Sequence, residues 1–133
     1  MKKPVFKKLR KTILVVEDDR AARKLCRAML TNMGHDVLEA GTGSQAMDIS
    51  SSHEGQIDLA IIDLLLPDGV GDKIYQKIKQ TRPNIKVIFS SGYPVYSNVQ
   101  DSLNINSDRF IQKPYDLLML TEAIRGVFSR MPN

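Results

Sequence analysis

Five residue positions in this chain could assemble a phosphoryl-transfer site. Glu17 and Asp18 follow the apolar run Thr12 to Val16, and Asp63 closes the run Ile57 to Ile62. Ser91 follows Ile85 to Phe89, and Lys113 follows Phe110-Ile111. An open α/β sheet builds its sites from residues at the ends of successive strands. A hard cation such as Mg2+ prefers oxygen ligands and uses one or two carboxylates together with a phosphate oxygen. An ionised carboxylate can attack phosphorus. A phosphoryl group attached there would offer three acceptor oxygens, enough for a lysine ammonium, a serine hydroxyl and the cation.

Each residue also has a plainer reading. Glu17, Asp18 and Asp19 are consecutive carboxylates that repel one another, so a cation would relieve them. They would equally serve as an acidic loop capping the helix that follows, where negative charge is favourable. Alternation along a strand end sends neighbours to different sides, so not all three can ligate directly. Asp63 could be a strand-terminal turn aspartate. As a nucleophile it needs a nearby cation to stay ionised beside other carboxylates. Ser91 could be a loop serine and Lys113 a surface lysine. The conjunction favours a site, because every one of these residues lies just after an apolar strand. A cis bond between Lys113 and Pro114 would aim the lysine inward.

The elements that must position them alternate in type along the chain. Strand one is Thr12 to Val16. Ala22, Leu25, Cys26, Met29 and Leu30 then form one apolar helical stripe, with Gly34 placed to end it. Val37-Leu38 is a short second strand. Thr42 or Ser44 can cap helix two, which carries Ala46, Met47 and Ile49. Ile57 to Ile62 reads as a third strand covered on both faces. A turn over Pro67 to Gly71 leads to helix three, with Val70, Ile74 and Ile78 inward, stopped by Thr81 to Asn84. Ile85 to Phe89 is strand four. The asparagine-bearing stretch Tyr93 to Ser107 predicts a short helix four near Tyr96 to Leu103. Phe110-Ile111 is strand five. Helix five follows from about Tyr115, with Leu117, Leu120, Ile124, Val127 and Phe128 on one face. Strands separated by helices imply right-handed βαβ crossovers and a parallel sheet.

Length and composition agree with a single packed domain. The chain has 133 residues, 42% of them hydrophobic and 26% charged, which favours a folded core over disorder. No apolar stretch approaches the roughly 20 residues that span a bilayer, and the basic N-terminus lacks the apolar segment of a secretory signal. The single Cys26 cannot form an internal disulfide, so a cytoplasmic location is expected. The net charge of +4 is uneven. Six basic residues lie in the first eleven, leaving 13 basic against 15 acidic in the remainder. A basic tail over 1–11, a domain over 12–129 and a short tail over 130–133 are expected. The basic tail is read as a solvated terminus, with contact to nucleic acid or anionic lipid as the alternative.

The motifs ILVVEDD, IIDLLLPDGVG, VIFSSGY and FIQKPY together resemble the receiver domain of two-component response regulators, from about Thr12 to Phe128. The LPDGVG and FSSGY wording is similar to receivers of hybrid histidine kinases. The resemblance implies a doubly wound, five-stranded parallel sheet of (βα)5 flavodoxin-like type with strand order 2-1-3-4-5. It implies that Asp63 accepts a phosphoryl group from a histidine kinase or histidine phosphotransfer protein. Mg2+ would be held by Asp18, by Glu17 through water, by Asp63 and by the backbone carbonyl of Leu65. Ser91, chosen over Ser90 because it precedes Gly92, would bind the phosphoryl group with Lys113. Phe110 would be the aromatic switch, and helix four, strand five and helix five the output surface. Such a domain is not an enzyme beyond its own phosphotransfer and dephosphorylation. No kinase motif or DNA-binding segment follows helix five, so a stand-alone receiver or one excised from a longer chain is expected. The output partner and phosphorylation-dependent homodimerisation stay open.

Three rivals remain. A Mg2+-dependent aspartate-nucleophile phosphatase would place a D-x-D nucleophile after strand one, where Glu17-Asp18-Asp19 stands instead. A flavodoxin-like FMN protein would need a Ser/Thr-rich phosphate loop there. An unphosphorylated scaffold receiver would not need the complete residue set.

Overall fold

The computed structural model describes residues 9–92 and 109–129. Five strands form one parallel sheet: β1 (Thr12–Val16), β2 (Asp36–Ala40), β3 (Leu59–Asp63), β6 (Lys86–Ser91) and β7 (Phe110–Gln112), in the order β2-β1-β3-β6-β7. That is the expected 2-1-3-4-5 order. The other two strands, β4 (Leu65–Leu66) and β5 (Gly69–Val70), make a small antiparallel hairpin. The helices are α1 (Arg20–Asn32), α2 (Gly43–Ser52), α3 (Gly71–Thr81) and α4 (Leu117–Ser129). The predicted helix four, near Tyr96 to Leu103, lies outside the described residues, so α4 is the helix predicted as the fifth.

Side chains alternate across the strands with a period of two, and the core divides accordingly. Leu14, Val16, Ala60, Ile62, Val87 and Phe89 face Ala46 of α2 and Ile74, Tyr75 and Ile78 of α3. Ile13, Val15, Leu59, Ile61, Ile88 and Ile111 face Cys26 and Leu30 of α1 and Leu120 and Ile124 of α4. β1 and β3 are central and buried on both sides, which is why their sequences are almost wholly apolar.

The helical stripes are narrower than the sequence suggests. In α1 only Cys26 and Leu30 are buried, while Leu25 is 59% exposed. Gly34 adopts φ +93° just past the end of α1, a conformation that L side chains rarely accept. Thr42, rather than Ser44, caps α2 by accepting from the Gln45 amide at 3.1 Å. The third strand begins at Leu59, two residues later than the apolar run, because Asp58 instead accepts from the Thr12 amide at 2.8 Å. The turn after Asp63 is the β4–β5 hairpin. Arg82, past the end of α3, donates to the carbonyls of Ser50, His53 and Gly55 at 2.7–2.9 Å, fastening the end of α2.

The last two residues of the basic N-terminal stretch are tied to the domain. Arg10 forms a double hydrogen bond with Asp36, and the Lys11 ammonium lies 4.6 Å from the centre of the Phe128 ring. The Lys11 amide donates to Nδ1 of the buried His35 at 3.0 Å. That acceptor requires a neutral imidazole. Burial, followed by the nearby Lys11 charge, lowers the His35 pKa from 6.5. A histidine depressed in the fold binds its proton first in the unfolded state. Its contribution is therefore full above about pH 6.5 and is lost as pH falls toward the folded value. Denaturant titrations between pH 5 and 8 should show stability rising with pH, with a shallower rise in His35→Gln.

Candidate functional site

The strand registers bring the candidate residues to one edge. Val16 pairs with Ile62, Asp63 with Ser90, and Ser91 with Gln112. The residues that continue β1, end β3 and β6 and follow β7 therefore meet at the carboxyl ends of the strands. Glu17 and Asp63 are buried there and Asp18 is exposed. Carboxylate oxygens of Glu17, Asp18 and Asp63 all lie within 4.8 Å of one another. This is the one such cluster of three metal-ligating side chains among the described residues.

Lys113 enters this cluster from the loop after β7. Its Nζ lies 2.9 Å from Asp63 Oδ2 and also bonds Glu17 Oε1. The Lys113-Pro114 bond is cis. The Lys113 amide donates to the Ser91 carbonyl at 2.8 Å, so the loop is registered against β6 before its side chain reaches the carboxylates. Ser91 itself is buried at the end of β6. Phe110 is half-buried and packs against the core on the α2/α3 side of the sheet.

The second carboxylate oxygens of Glu17 and Asp63 are also engaged. Glu17 Oε2 accepts from the Asp19 amide at 3.0 Å, and Asp63 Oδ1 accepts from the Leu65 amide at 3.1 Å. Asp19 caps α1 through the Ala21 amide. Burial pushes the Glu17 carboxyl above the usual carboxylate range; bonds from Lys113 and the Asp19 amide oppose this, and the Asp63 charge adds to it. Burial alone would lower the Lys113 pKa, but its hydrogen bonds to Glu17 and Asp63 outweigh that and hold it above the ordinary lysine value. Dehydration thus decides the direction at Glu17, and the unlike charges beside it decide the direction at Lys113.

Several contributors act through tertiary partners that the sequence does not place. Arg23 of α1 donates to the Glu17 carbonyl at 2.8 Å while its Nε pairs with Glu39, so α1 fixes the end of β1. Gly71 is required by contact: a Cβ there would stand 2.3 Å from the Asp63 carbonyl oxygen. Asp68, at the hairpin tip, accepts from the amides of Gly43 and Ser44 at 2.8 and 2.9 Å. The Pro67-Asp68-Gly69 turn pattern was the available hint for Asp68; its partner on α2 was not readable. Beside Lys113 a cavity of about 150 Å3 is lined by Ala22, Leu25, Met29, Pro114 and Tyr115.

An all-oxygen donor set of three carboxylates suits a hard divalent cation. Ligands about 2.1 Å from Mg2+ stand roughly 3 to 4 Å apart, so the observed grouping needs only small side-chain adjustments. The donor chemistry fits the ion.

Residues 13–125 match the response regulator receiver domain family, and the chain belongs to that family. It is 30% identical over 124 residues to the sensor kinase CckA of Brucella abortus, covering 90% of this chain and 13% of that protein. The CheY-like receiver of Methanospirillum hungatei shares 32% identity at a TM-score of 0.75, over 86% of this chain and 90% of that one. The response regulator TrrA of Thermotoga maritima, solved in complex with Mg2+ and BeF, shares 25% identity at a TM-score of 0.74, over 89% and 99% of the two chains. The chain spans 13 to 53% of the length of the first curated relatives it matches. No helix among the described residues is long and apolar enough to cross a membrane.

Removing the Lys113 ammonium leaves two buried carboxylates facing each other. Lys113→Ala should lower stability by about 1–3 kcal/mol in chelator-treated protein, read by urea titration. The same substitution in an Asp63→Asn background should cost less, because one of the opposed charges has gone.

Proposed function

We propose that this domain is a phosphorylation-controlled switch in which Asp63 receives a phosphoryl group from a phosphohistidine donor. The observation that carries the reading is Lys113 bridging Glu17 and Asp63 within the three-carboxylate cluster. A carboxylate oxygen of Asp63 forms the new P–O bond as the N–P bond of the donor breaks, and the donor imidazole keeps the bonding pair. The Lys113 ammonium then shifts from the Asp63 carboxylate to a phosphoryl oxygen, a charge-assisted contact of greater strength. Ser91 donates its hydroxyl to another. Its movement at the end of β6 opens space that Phe110 fills, raising the population of an active state already sampled.

Asp18 directly, Glu17 through water, Asp63, and the Leu65 carbonyl would hold Mg2+. Bound there, Mg2+ neutralises charge that develops on the transferring group. TrrA was solved with both Mg2+ and BeF, which supports the same use here.

The donor would be a histidine kinase or histidine phosphotransfer protein docking beside α1. The exposed Leu25 and the adjoining apolar cavity beside Lys113 support that approach. Output would leave through the predicted helix four, β7 and α4, toward a partner whose chemistry the sequence does not name. A cytoplasmic setting suits both donor and switch.

Asp63→Asn should abolish radiolabelling by acetyl phosphate or a phosphorylated kinase, while wild type labels in a Mg2+-dependent manner. Labelling of the variant at full stoichiometry would overturn the assignment. Leu65 is 54% exposed two residues after Asp63; there it would border the path of a hydrolytic water, as would Tyr93, which lies outside the described residues. Phosphate loss should therefore be slow, with a half-life of minutes or longer in a radiolabel decay assay. Leu65→Asn should shorten it several-fold, and a wild-type half-life of seconds would contradict the reading.

A further inference from the structure

The hairpin that follows Asp63 is held at both ends by different means. At its base, the Gly71 amide donates to the Leu64 carbonyl at 2.8 Å, and the Leu65 amide donates to Asp63 Oδ1. Its own pairing consists only of Leu65 with Val70 and Leu66 with Gly69. A two-residue antiparallel ladder has little stability of its own. The tip is fastened elsewhere. Asp68 directs one carboxylate oxygen to the Gly43 amide and the other to the Ser44 amide.

Those amides are the first two of α2. A helix leaves its first amides without intrahelical partners. Thr42 takes the Gln45 amide through its side chain. Asp68 takes Gly43 and Ser44, so the start of α2 is completed by a residue 25 positions away in sequence. The charge is well placed, since the helix start favours an anion.

We propose that Asp68 is a positioning residue for the phosphoacceptor site, stapling the β4–β5 hairpin to α2 so that Leu65 stays in place beside Asp63. The inference rests on the reading of Leu65 as a Mg2+ ligand given above. Leu65 has two tasks in that reading. Its amide donates to the Asp63 carboxylate, and its carbonyl would help hold the ion. Both depend on where the hairpin lies. Asp68 touches neither reactant nor ion. It acts through the hairpin, and its bidentate grip leaves the tip little freedom to rock about its base.

Cap loss alone would predict a different pattern. Thr42→Ala removes the neighbouring α2 cap and leaves the hairpin contact intact, so it serves as the matched control. Asp68→Asn keeps one acceptor oxygen and should behave between wild type and Asp68→Ala.

Two readouts separate the staple from general destabilisation. Native-state hydrogen exchange should show the Leu65 amide losing protection in Asp68→Ala and retaining it in Thr42→Ala. Isothermal titration with Mg2+ should show the dissociation constant raised about 3- to 10-fold in Asp68→Ala. This is milder than the 10- to 100-fold typical of a group bonded directly to a ligand. Thr42→Ala should leave Mg2+ affinity within about twofold of wild type. Unchanged Leu65 protection in Asp68→Ala, or equal losses of Mg2+ affinity in both variants, would overturn the staple. Absence of Mg2+ binding to wild type, with Leu65 protection still lost in Asp68→Ala, would instead remove the metal reading and leave only a structural clamp.

Discussion

The Lys113 ammonium between Glu17 and Asp63 is the interaction on which the rest of the site depends. Two buried carboxylates at one sheet edge repel each other, and each loses hydration that a charged group values at several kcal/mol. A single cation touching both offsets these penalties together. It comes from the opposite side of the sheet in sequence terms, 96 and 50 residues from its partners. The fold must therefore bring β7 beside β6, and β6 beside β3, before the carboxylates can be tolerated. The bond from the Lys113 amide to the Ser91 carbonyl is where that requirement becomes local. It aligns the loop with the strand that neighbours Asp63, and the side chain has only to extend.

The parallel sheet acts as the ruler for this arrangement. Period-two alternation divides the core into an α2/α3 side and an α1/α4 side. It also sets which strand-end residues can meet. Glu17 continues the parity of Ile13 and Val15, and Asp63 that of Leu59 and Ile61. Both carboxylates thus belong to the face covered by α1 and α4, the face that Lys113 approaches before α4 begins. The pairing of Asp63 with Ser90 places that serine on the same parity and Ser91 on the other. Ser91 instead holds the Lys113 loop through its carbonyl.

Much of this was legible in the sequence because its causes are local. The runs TILVV and IDLAII mark two strands through composition alone, and the residues that follow them are at the right edge by topology. Asp19 as a cap of α1 and the turn after Asp63 follow from short-range rules. What was not legible depends on tertiary partners. Leu25 has the spacing of a core residue but is left exposed, while Cys26, Met29 and Leu30 of α1 pack against the sheet. Asp58 sits in an apolar run yet shortens the strand, since it finds the Thr12 amide 46 positions away. Arg23, Arg82 and Asp68 look like ordinary surface charges; each instead closes unpaired backbone groups on a separate element.

That last group reveals how the site is kept in place without a rigid shell of its own. The reactive edge is made of strand ends and short loops, which have few hydrogen bonds to spare. Charged side chains from outside supply them: Arg23 to the end of β1, Asp68 to the hairpin after β3, and Arg82 to the far end of α2. Asp68 and Arg82 act on opposite ends of the same helix, so α2 is fixed along its length and can in turn hold the hairpin. A charge exposed to solvent contributes little as an ion pair. The same charge bonded to backbone groups that would otherwise lack partners has a larger effect, because those groups have no alternative within their own element. The geometry around Asp63 is thus set in part by residues that never touch it, while Lys113 and the Leu65 amide bond its carboxylate directly.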